Sequence, residues 1–322
     1  MVVIFVVGFY TGNILEKQKF VDFINQFKSQ RMASSKYLYT SPLIGIDSPK
    51  ATTFGLYTDL HDVIQNRINQ AKKVGVDYVA VYVRDLNSSL WFGIDEFFFF
   101  FSASLLKLPF AFAAYKATEN DKELRDSKFI YTQELANINL KRVNASPSEL
   151  IVGSSYTLRD LVRIMLEDSD YGARDMVAMF TPADAIQEIY TVIGLNVPNP
   201  SVSFQMSAKA YALFFRMLYG ATYLNEQNSN TILKLLNESS FDLGIKRYIP
   251  KTIVVSHKWG VLNLPKDEKG VEEQELHDCG VVYAPDRPYI ICIMTKGPDQ
   301  QVLADVIADI SKETYNYFTL GK

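Results

Sequence analysis

The chain has 322 residues, of which 48% are hydrophobic, so it can bury one large core or two packed lobes. Its formal net charge of −3 gives no reason to expect nucleic acid as a partner. Three histidines and two cysteines at these spacings indicate no metal site, and we expect no cofactor.

Two regions are predicted, an N-terminal segment over residues 1–35 and a main domain over residues 36–322. Residues 2–10 are strongly apolar, but a membrane-spanning helix needs roughly 20 such residues, and a signal peptide needs a basic start that is absent here. From Asn13 to Lys28, apolar residues recur at helical spacing and predict a short amphipathic stalk helix. The apolar start is either the end of a membrane anchor that begins upstream or a segment packed on the domain.

Within the main domain, periodicity separates helices from strands. A helix is predicted from His61 to Val74, with its inward face formed by Val63, Ile64, Ile68 and Ala71. Residues from about 103 to 240 form a helical lobe with loops at 144–155 and 192–203. The predicted strands and the last helix are Tyr78–Val83, Leu90–Ile94, Ile253–His257, Gly280–Ala284, Tyr289–Thr295 and Val302–Phe318. The pattern predicts an α+β fold, in which helices cover a sheet of about five strands that is interrupted by the helical lobe.

One short motif contains the residues needed for nucleophilic catalysis. Ser104 and Lys107 form the one Ser-x-x-Lys sequence in the chain, and residues three apart share a face of a helical turn. Their neighbours are apolar, with Phe97–Phe101 before the motif and several Leu and Phe residues after it. An amine in such surroundings can lose its proton near neutral pH and activate the hydroxyl. The pair is therefore a candidate nucleophile and base.

Two further elements follow in the chain. Thr157 and Asp160 are placed to begin an amphipathic helix as N-cap and N3 residues. This helix ends at Ser169-Asp170-Tyr171, which presents a second hydroxyl. Later, a β-rich run that starts at Thr252 ends in Lys258-Trp259-Gly260, where the glycine lets a bound ligand approach the strand backbone.

The three motifs, in this order, resemble those of the class A β-lactamase and penicillin-binding superfamily of serine acyl-enzymes. The resemblance extends from about Tyr78 to the C-terminus. Phe101–Pro109 resembles the nucleophile segment of the family, and Tyr156–Leu161 resembles the helix before its second motif. His277–Tyr283 and Ile293–Gly297 resemble its last two strands. The resemblance implies a two-lobed β-lactamase/transpeptidase-like fold with an antiparallel sheet.

The resemblance also implies roles for the matching residues. Ser104 is expected to be the nucleophile, Lys107 the base that takes its proton, and Ser169 the relay toward the leaving nitrogen. Lys258 is expected to hold the substrate carboxylate. Backbone N–H groups of Ser104 and Val261 are expected to form the oxyanion hole. The expected substrate-binding residues are Tyr171, Trp259, Gly260 and Val261.

The chain departs from the family pattern at three places. Tyr171 stands where class A β-lactamases have Asn, and Tyr lacks the paired donor and acceptor of an amide. Trp259 replaces a Thr or Ser and could form an aromatic wall. Class A enzymes carry a loop glutamate that activates the deacylating water, whereas residues 193–203 contain no acid. The nearest acids, Asp184 and Glu188, lie on a predicted upstream helix, so fast deacylation by the class A route is not expected.

Other candidate groups are weaker. A Ser104–His277–Asp278 triad is excluded, because adjacent residues of a strand point to opposite faces. A tight turn at residues 285–288 would leave Cys279 and Cys292 diagonal and beyond disulfide reach. We therefore expect two free, buried thiols that do not indicate a compartment. For the aromatic run at residues 97–101, we favour buried packing over lining of the cleft or contact with lipid.

Three functions remain open. We favour a serine acyl-enzyme hydrolase of β-lactamase type that acts on β-lactams or related amide and ester carbonyls, with slow or atypical deacylation. The second is a penicillin-binding or peptidase-like enzyme that acts on cell-wall peptide, which the missing acid favours. The third is a non-catalytic binding module, which Tyr171 and Trp259 favour. The resemblance implies an extracytoplasmic location in the cell envelope and membrane contact through residues 1–35, and the oligomeric state stays open.

Overall fold

The computed structural model describes residues 37–41, 57–141, 148–194, 204–266, 270 and 272–320. The predicted apolar segment and stalk helix at residues 1–35 lie outside these ranges, as do residues 144–147 and 195–203 of the predicted loops. No helix within the described ranges has both the length and the apolar character needed to cross a membrane.

A five-stranded antiparallel sheet forms the centre of the fold, as predicted. The strands in chain order are β1 (Tyr78–Asp85), β2 (Trp91–Ile94), β3 (Phe99–Phe101), β4 (Lys128–Ile130), β5 (Ser155–Thr157), β6 (Gln205–Ser207), β7 (Val255–Asn263), β8 (Gln274–Val282) and β9 (Tyr289–Gly297). The main sheet has the order β2-β1-β9-β8-β7. Strands from the two ends of the domain therefore meet at its centre.

Helices cover both faces of this sheet. In chain order they are α1 (Thr58–Lys73), α2 (Lys107–Asn120), α3 (Gln133–Leu140), α4 (Leu158–Glu167), α5 (Tyr171–Phe180), α6 (Ala183–Val192), α7 (Ala208–Gly220), α8 (Glu226–Asn237) and α9 (Gln300–Leu320). Short 3-10 turns lie at Ala103–Leu106 and Glu123–Asp126. Because both faces are covered, β1, β8 and β9 are buried at nearly every residue.

The first and last helices, α1 and α9, pack together on one face of the sheet. The buried stripe of α1 consists of Leu60, Ile64, Ile68 and Ala71. The prediction that Val63 points inward is wrong, since its side chain is 41% exposed. The helix begins earlier than predicted, at Thr58, and this adds Leu60 to the buried stripe. The stripe then follows Leu60, Ile64 and Ile68 at intervals of four residues, and Val63 lies beside it.

The helical lobe is arranged around α2, which contacts α4, α5 and α6. Helix α4 begins with the predicted capping box, in which the Thr157 hydroxyl accepts from the Asp160 N–H. Two small sheets within this region, β3–β6 and β4–β5, were not predicted. Their strands have three residues each, too few for alternation to reveal them.

The two cysteines form a disulfide, so the prediction of free thiols is wrong. Cys279 on β8 lies directly opposite Cys292 on β9. The predicted turn is too short, because Val282 pairs with Tyr289 and the connecting loop spans residues 283–288. The Tyr283 N–H donates instead to the Val254 carbonyl. The register therefore shifts by two residues, which keeps both cysteines on one face but makes them direct neighbours.

The aromatic run at residues 97–101 is largely exposed, so the prediction of buried packing holds only in part. Phe100 is 1% exposed and contacts the ring of His277. Phe97, Phe98 and Phe99 are 63%, 41% and 57% exposed. Only the last three residues of the run form β3, so strand alternation buries a single ring deeply.

Candidate active site

Ser104 lies on the turn that leads into the central helix of the helical lobe. This 3-10 turn follows β3 and runs directly into α2, and the Ser102 carbonyl closes it by accepting from the Leu105 N–H. Ala103, just before the nucleophile candidate, has φ of 46°, which a non-glycine residue rarely adopts. Pro109 lies in the first turn of α2, where backbone N–H groups have no helical partner, so it does not break the segment.

Lys107 contacts Ser104 directly. Its Nζ lies 2.8 Å from Ser104 Oγ, and the lysine is only 2% exposed. Burial holds the pKa of the Lys107 amine well below its usual range, and the nearby charges of Lys258 and Arg174 act in the same direction. A neutral amine accepts a hydrogen bond from the Ser104 hydroxyl and can take its proton. The expected nucleophile and base are therefore paired.

Ser169 links the two buried lysines. Its Oγ lies 3.2 Å from Lys107 Nζ and 3.0 Å from Lys258 Nζ, and its carbonyl accepts from Lys107 at 2.5 Å. Ser169 follows the end of α4 in a left-handed conformation with φ of 59°. This conformation turns the chain so that the next residue, Asp170, becomes the N-cap of α5. Ser169 is 8% exposed, and its hydroxyl contacts the amines of both lysines.

Asp170 secures the second motif structurally. Its carboxylate caps α5 by accepting from the Ala173 N–H at 2.7 Å. It also accepts from the Ser148 hydroxyl at 2.9 Å and from the Glu149 N–H at 2.8 Å. These contacts tie residues 148–149 to the start of α5, and they fix the segment that carries Ser169.

Lys258 is fully buried on β7. Burial lowers its pKa to about 7, while the carboxylates of Asp278 and Asp168 favour the charged form and act in the opposite direction. Asp278 Oδ1 lies 2.7 Å from His257 Nδ1, and Asp278 Oδ2 accepts from the Ile245 N–H. The buried Asp278 carboxylate therefore favours the charged form of Lys258 electrostatically.

Gly260 allows β7 to contact the turn that carries Ser104. A Cβ at Gly260 would lie 2.9 Å from the Ser104 nitrogen and 3.1 Å from the Leu105 nitrogen. The sequence predicted that this glycine leaves room for a ligand. In the structure, the atoms that need this room are the backbone atoms of the nucleophile segment. Val261 follows on the same strand, half-buried and paired with Leu276.

Two aromatic residues line the same group of side chains. The Tyr171 hydroxyl lies 3.4 Å from Ser104 Oγ, and its ring centre lies 3.5 Å from Lys107 Nζ. Trp259 is half-buried and stacks on Phe241 at 4.5 Å. The Trp259 ring centre lies 5.5 Å from Lys258 Nζ. Tyr171 therefore contacts the candidate nucleophile and base directly, whereas Trp259 borders the second lysine.

Sequence reasoning missed the charged neighbours on α5. Arg174 and Asp175 lie 3.1 Å apart, and Arg174 lowers the pKa of Lys107 while Asp175 raises it. They follow Tyr171 by three and four residues, so helical spacing alone could have placed them on the same face. His257 and Asp278 lie on the neighbouring strands β7 and β8, and no short sequence pattern predicts their contact.

The remaining candidates lie elsewhere. His277 Nε2 lies 3.0 Å from the Phe101 carbonyl oxygen, and Asp278 pairs with His257, so Ser104, His277 and Asp278 do not form a triad. Burial raises the pKa of the Tyr223 phenol to about 12, and the carboxylate of Glu188 on α6 acts on this phenol in the same direction.

Comparisons with known proteins show the family and the fold of the chain. A family model described as the β-lactamase enzyme family matches residues 59–318, and no curated protein matches the chain. The structure of PBP-A is similar with a TM-score of 0.67 and 18% identity, over 81% of this chain and 96% of that one. A β-lactamase from Sphaerobacter thermophilus has a TM-score of 0.67 and 19% identity over 79% and 96%. One from Chitinophaga pinensis has a TM-score of 0.68 and 17% identity over 79% and 98%; both share the fold.

Proposed function

The chain belongs to the β-lactamase enzyme family, and we propose that it is a serine acyl-enzyme hydrolase that acts on β-lactam or related amide and ester carbonyls, with slow deacylation. Family membership supports a serine β-lactamase or penicillin-binding type of function. The observation that carries the finer proposal is the unbroken series of contacts from Ser104 through Lys107 and Ser169 to Lys258. This series joins a nucleophile, a base, a proton relay and a cation.

In the proposed acylation step, Ser104 Oγ attacks the substrate carbonyl carbon while its proton moves to the neutral amine of Lys107. The tetrahedral intermediate then collapses as the bond from carbon to the leaving nitrogen breaks. The proton passes from Lys107 through the Ser169 hydroxyl to that nitrogen, over contacts of 3.2 Å or less in this structure. The products of this step are an acyl ester on Ser104, a neutral amine that carries the transferred proton, and Lys107 returned to its neutral form.

Lys258 has the position and chemistry to hold an anionic substrate group near Ser169. Its pKa of about 7 makes it partly charged at neutral pH, and a substrate carboxylate would favour the charged form. Tyr171 adds an aromatic ring beside Lys107, and the Trp259 ring lies 5.5 Å from Lys258 Nζ. We therefore expect the preferred substrates to combine a carboxylate with an apolar or aromatic side chain.

Slow deacylation is proposed because the usual water-activating acid has no counterpart in the sequence. Residues 193–203 contain no Asp or Glu, and Glu188 acts on Tyr223 rather than on the lysine pair. A mutant of the structurally similar PBP-A is described as an acyl-enzyme complex with penicillin G. That similarity supports testing the same adduct on this chain.

The test is intact-mass spectrometry of the protein mixed with penicillin G, sampled from seconds to hours. We expect an adduct of one penicillin molecule on the wild type, absent from Ser104→Ala, that persists for minutes or longer. Ser102→Ala is a matched control, because the Ser102 hydroxyl is buried two residues away and has no hydrogen-bond partner among the described residues. It should acylate like the wild type.

Two results would contradict the proposal. An adduct that survives in Ser104→Ala would place the nucleophile elsewhere. Adduct decay within seconds, with release of hydrolysed penicillin, would show that an efficient deacylating group exists.

A second candidate is a penicillin-binding enzyme whose natural substrate is cell-wall peptide. The absence of an acid from residues 193–203 favours it, because such an enzyme does not need rapid hydrolysis of a penicillin ester. Release of the terminal amino acid from a cell-wall peptide by the wild type, but not by Ser104→Ala, would support it over the first candidate. Turnover of penicillin without peptide cleavage would support the first.

An extracytoplasmic location is proposed together with this activity. The Cys279–Cys292 disulfide supports it, since disulfides persist in oxidising compartments. Membrane contact through residues 1–35 is a separate proposal. Fractionation of cells that express the full chain, followed by thiol labelling with and without reductant, tests the location. Labelled cysteines without reductant would contradict it.

A further inference from the structure

A cavity lies at the edge of the main sheet opposite to the edge that carries Lys258. Its volume of about 560 Å³ falls within the range of roughly 300–1,000 Å³ that is usual for small-molecule sites. It borders β2, and the four strand spacings between β2 and β7 amount to about 19 Å. Its lining includes Asp62, Trp91, Gly93, Glu96, Phe97 and Lys209. None of these residues takes part in the proposed acylation.

The walls of this cavity are largely aromatic and already hold one cation. Lys209 Nζ lies 3.6 Å from the ring centre of Trp91 and 4.5 Å from that of Phe97. Both distances are those of cation–π contacts. The Lys209 N–H donates to the Glu96 carbonyl at 3.1 Å, which fixes the start of α7 against the cavity. Trp91 also packs on Tyr82 at 5.5 Å, which holds the indole in place.

Two carboxylates lie at the cavity and can pair with a cationic ligand. They belong to Asp62 and Glu96, and the cations nearby are Lys209 and Arg84, which pairs with Trp91 across the strands. Glu96 folds back over β2, where a Cβ at Gly93 would lie 2.5 Å from its Cδ, so glycine provides the room for this side chain. The Asp62 side chain is 68% exposed, and its Oδ1 lies 3.3 Å from His61 Nδ1. A carboxylate is therefore available both beside the strand and on the solvent side.

We propose that this cavity binds small organic cations with an aromatic or alkyl body, whose ammonium group lies over Trp91 and Phe97 and near Glu96. Aromatic faces attract alkylated ammonium groups, and burial of the body among the rings adds apolar contact. Lys209 places its own ammonium where the ligand's would lie. A bound ligand therefore displaces the Lys209 amine and takes over its ring contacts.

Fluorescence offers a direct test, because the chain has two tryptophans, Trp91 and Trp259. In Trp259→Phe, Trp91 is the only indole and lies in the cavity. Titration with benzyltrimethylammonium should change its emission saturably. Benzyl alcohol and benzoate, a neutral and an anionic probe of similar size, should bind at least about tenfold more weakly. The converse variant, Trp91→Phe, should show no saturable change.

Two further variants test the displacement of Lys209. Lys209→Met removes the competing ammonium and should tighten benzyltrimethylammonium binding by about tenfold. Glu96→Gln removes one carboxylate and should weaken it several-fold. Thermal unfolding of each variant checks that it is folded. The selectivity among the three probes is measured in Trp259→Phe and does not depend on Lys209→Met or Glu96→Gln. Preference for benzoate, loss of binding in Lys209→Met, or equal affinity for all three probes would overturn the proposal.

Discussion

Replacement of Lys258 by methionine should stabilise the protein most at neutral pH and progressively less at alkaline pH. The lysine is fully buried, and burial lowers its pKa from 10.5 to about 7. Between these two values the unfolded chain binds a proton at this residue that the folded protein has released. The free energy of unfolding of the wild type therefore rises with pH across this window, and Lys258→Met removes this contribution.

The size of the effect follows from the two pKa values. At pH 7 the unfolded lysine is fully charged and the folded one about half charged, which lowers the stability by about 4 kcal/mol. At pH 9.5 the folded lysine is neutral and the unfolded one is still mostly charged, and the same contribution is about 1.5 kcal/mol. The wild type should therefore gain about 3 kcal/mol relative to Lys258→Met between pH 7 and pH 9.5.

Urea unfolding of both proteins at several pH values between 7 and 9.5 measures this difference. The upper limit keeps the pH below the range in which tyrosines of the unfolded chain ionise. Lys107 is present in both proteins, but the charge of Lys258 helps to lower its pKa, so Lys258→Met also reduces the cost of burying Lys107 and adds to the stability difference in the same direction. Lys234→Met, at a lysine whose side chain is 58% exposed, is the control and should follow the wild type. If the stability difference between wild type and Lys258→Met does not change with pH, the argument from burial is wrong.

Two further predictions concern the contact of β7 with the nucleophile segment and the disulfide. Gly260→Ala should slow acylation by about 100-fold, because the new Cβ would lie 2.9 Å from the Ser104 nitrogen and displace that backbone. The rate of adduct formation measures this effect, and Gly220→Ala is the control, because its new Cβ would meet only a Thr222 methyl at 3.2 Å. Equal acylation rates for the two variants would count against the prediction. Reduction of Cys279–Cys292 should lower the free energy of unfolding by about 3 kcal/mol, as expected for a closed loop of this length. Urea unfolding with and without reductant tests this, and Cys279→Ser should behave like the reduced protein.

The sequence indicated the main site residues because local signals fix where they lie. Ser104 and Lys107 are three residues apart, so the start of one helix suffices to pair them. The capping box of α4 sets where that helix begins, and hence where Ser169 emerges at its end. Lys258 directly follows the predicted strand Ile253–His257, and the observed strand β7 continues through it to Asn263. The structure brings these four side chains into one series of contacts.

The features that could not be predicted depend on register and on distant partners. The cysteine pairing depends on a loop that is two residues longer than expected, and nothing within residues 283–288 specifies that length. The contact of His257 with Asp278 requires the pairing of β7 with β8. The stacking of Tyr171 on Lys107 depends on the angle at which α5 leaves Ser169. Each is decided by tertiary packing rather than by local propensity.

The two buried lysines also bear on whether this fold retains catalysis or serves only as a binding module. Lys107 and Lys258 both have lowered pKa values, so each lowers stability at neutral pH. A binding module that needed only the fold would be more stable with apolar residues at these positions. A nucleophilic serine, by contrast, requires a base beside it, and burial is what keeps a lysine amine neutral so that it can serve as that base. If Lys258→Met is more stable at pH 7 and no longer acylates, the burial of these amines serves the reaction and the binding-module interpretation fails.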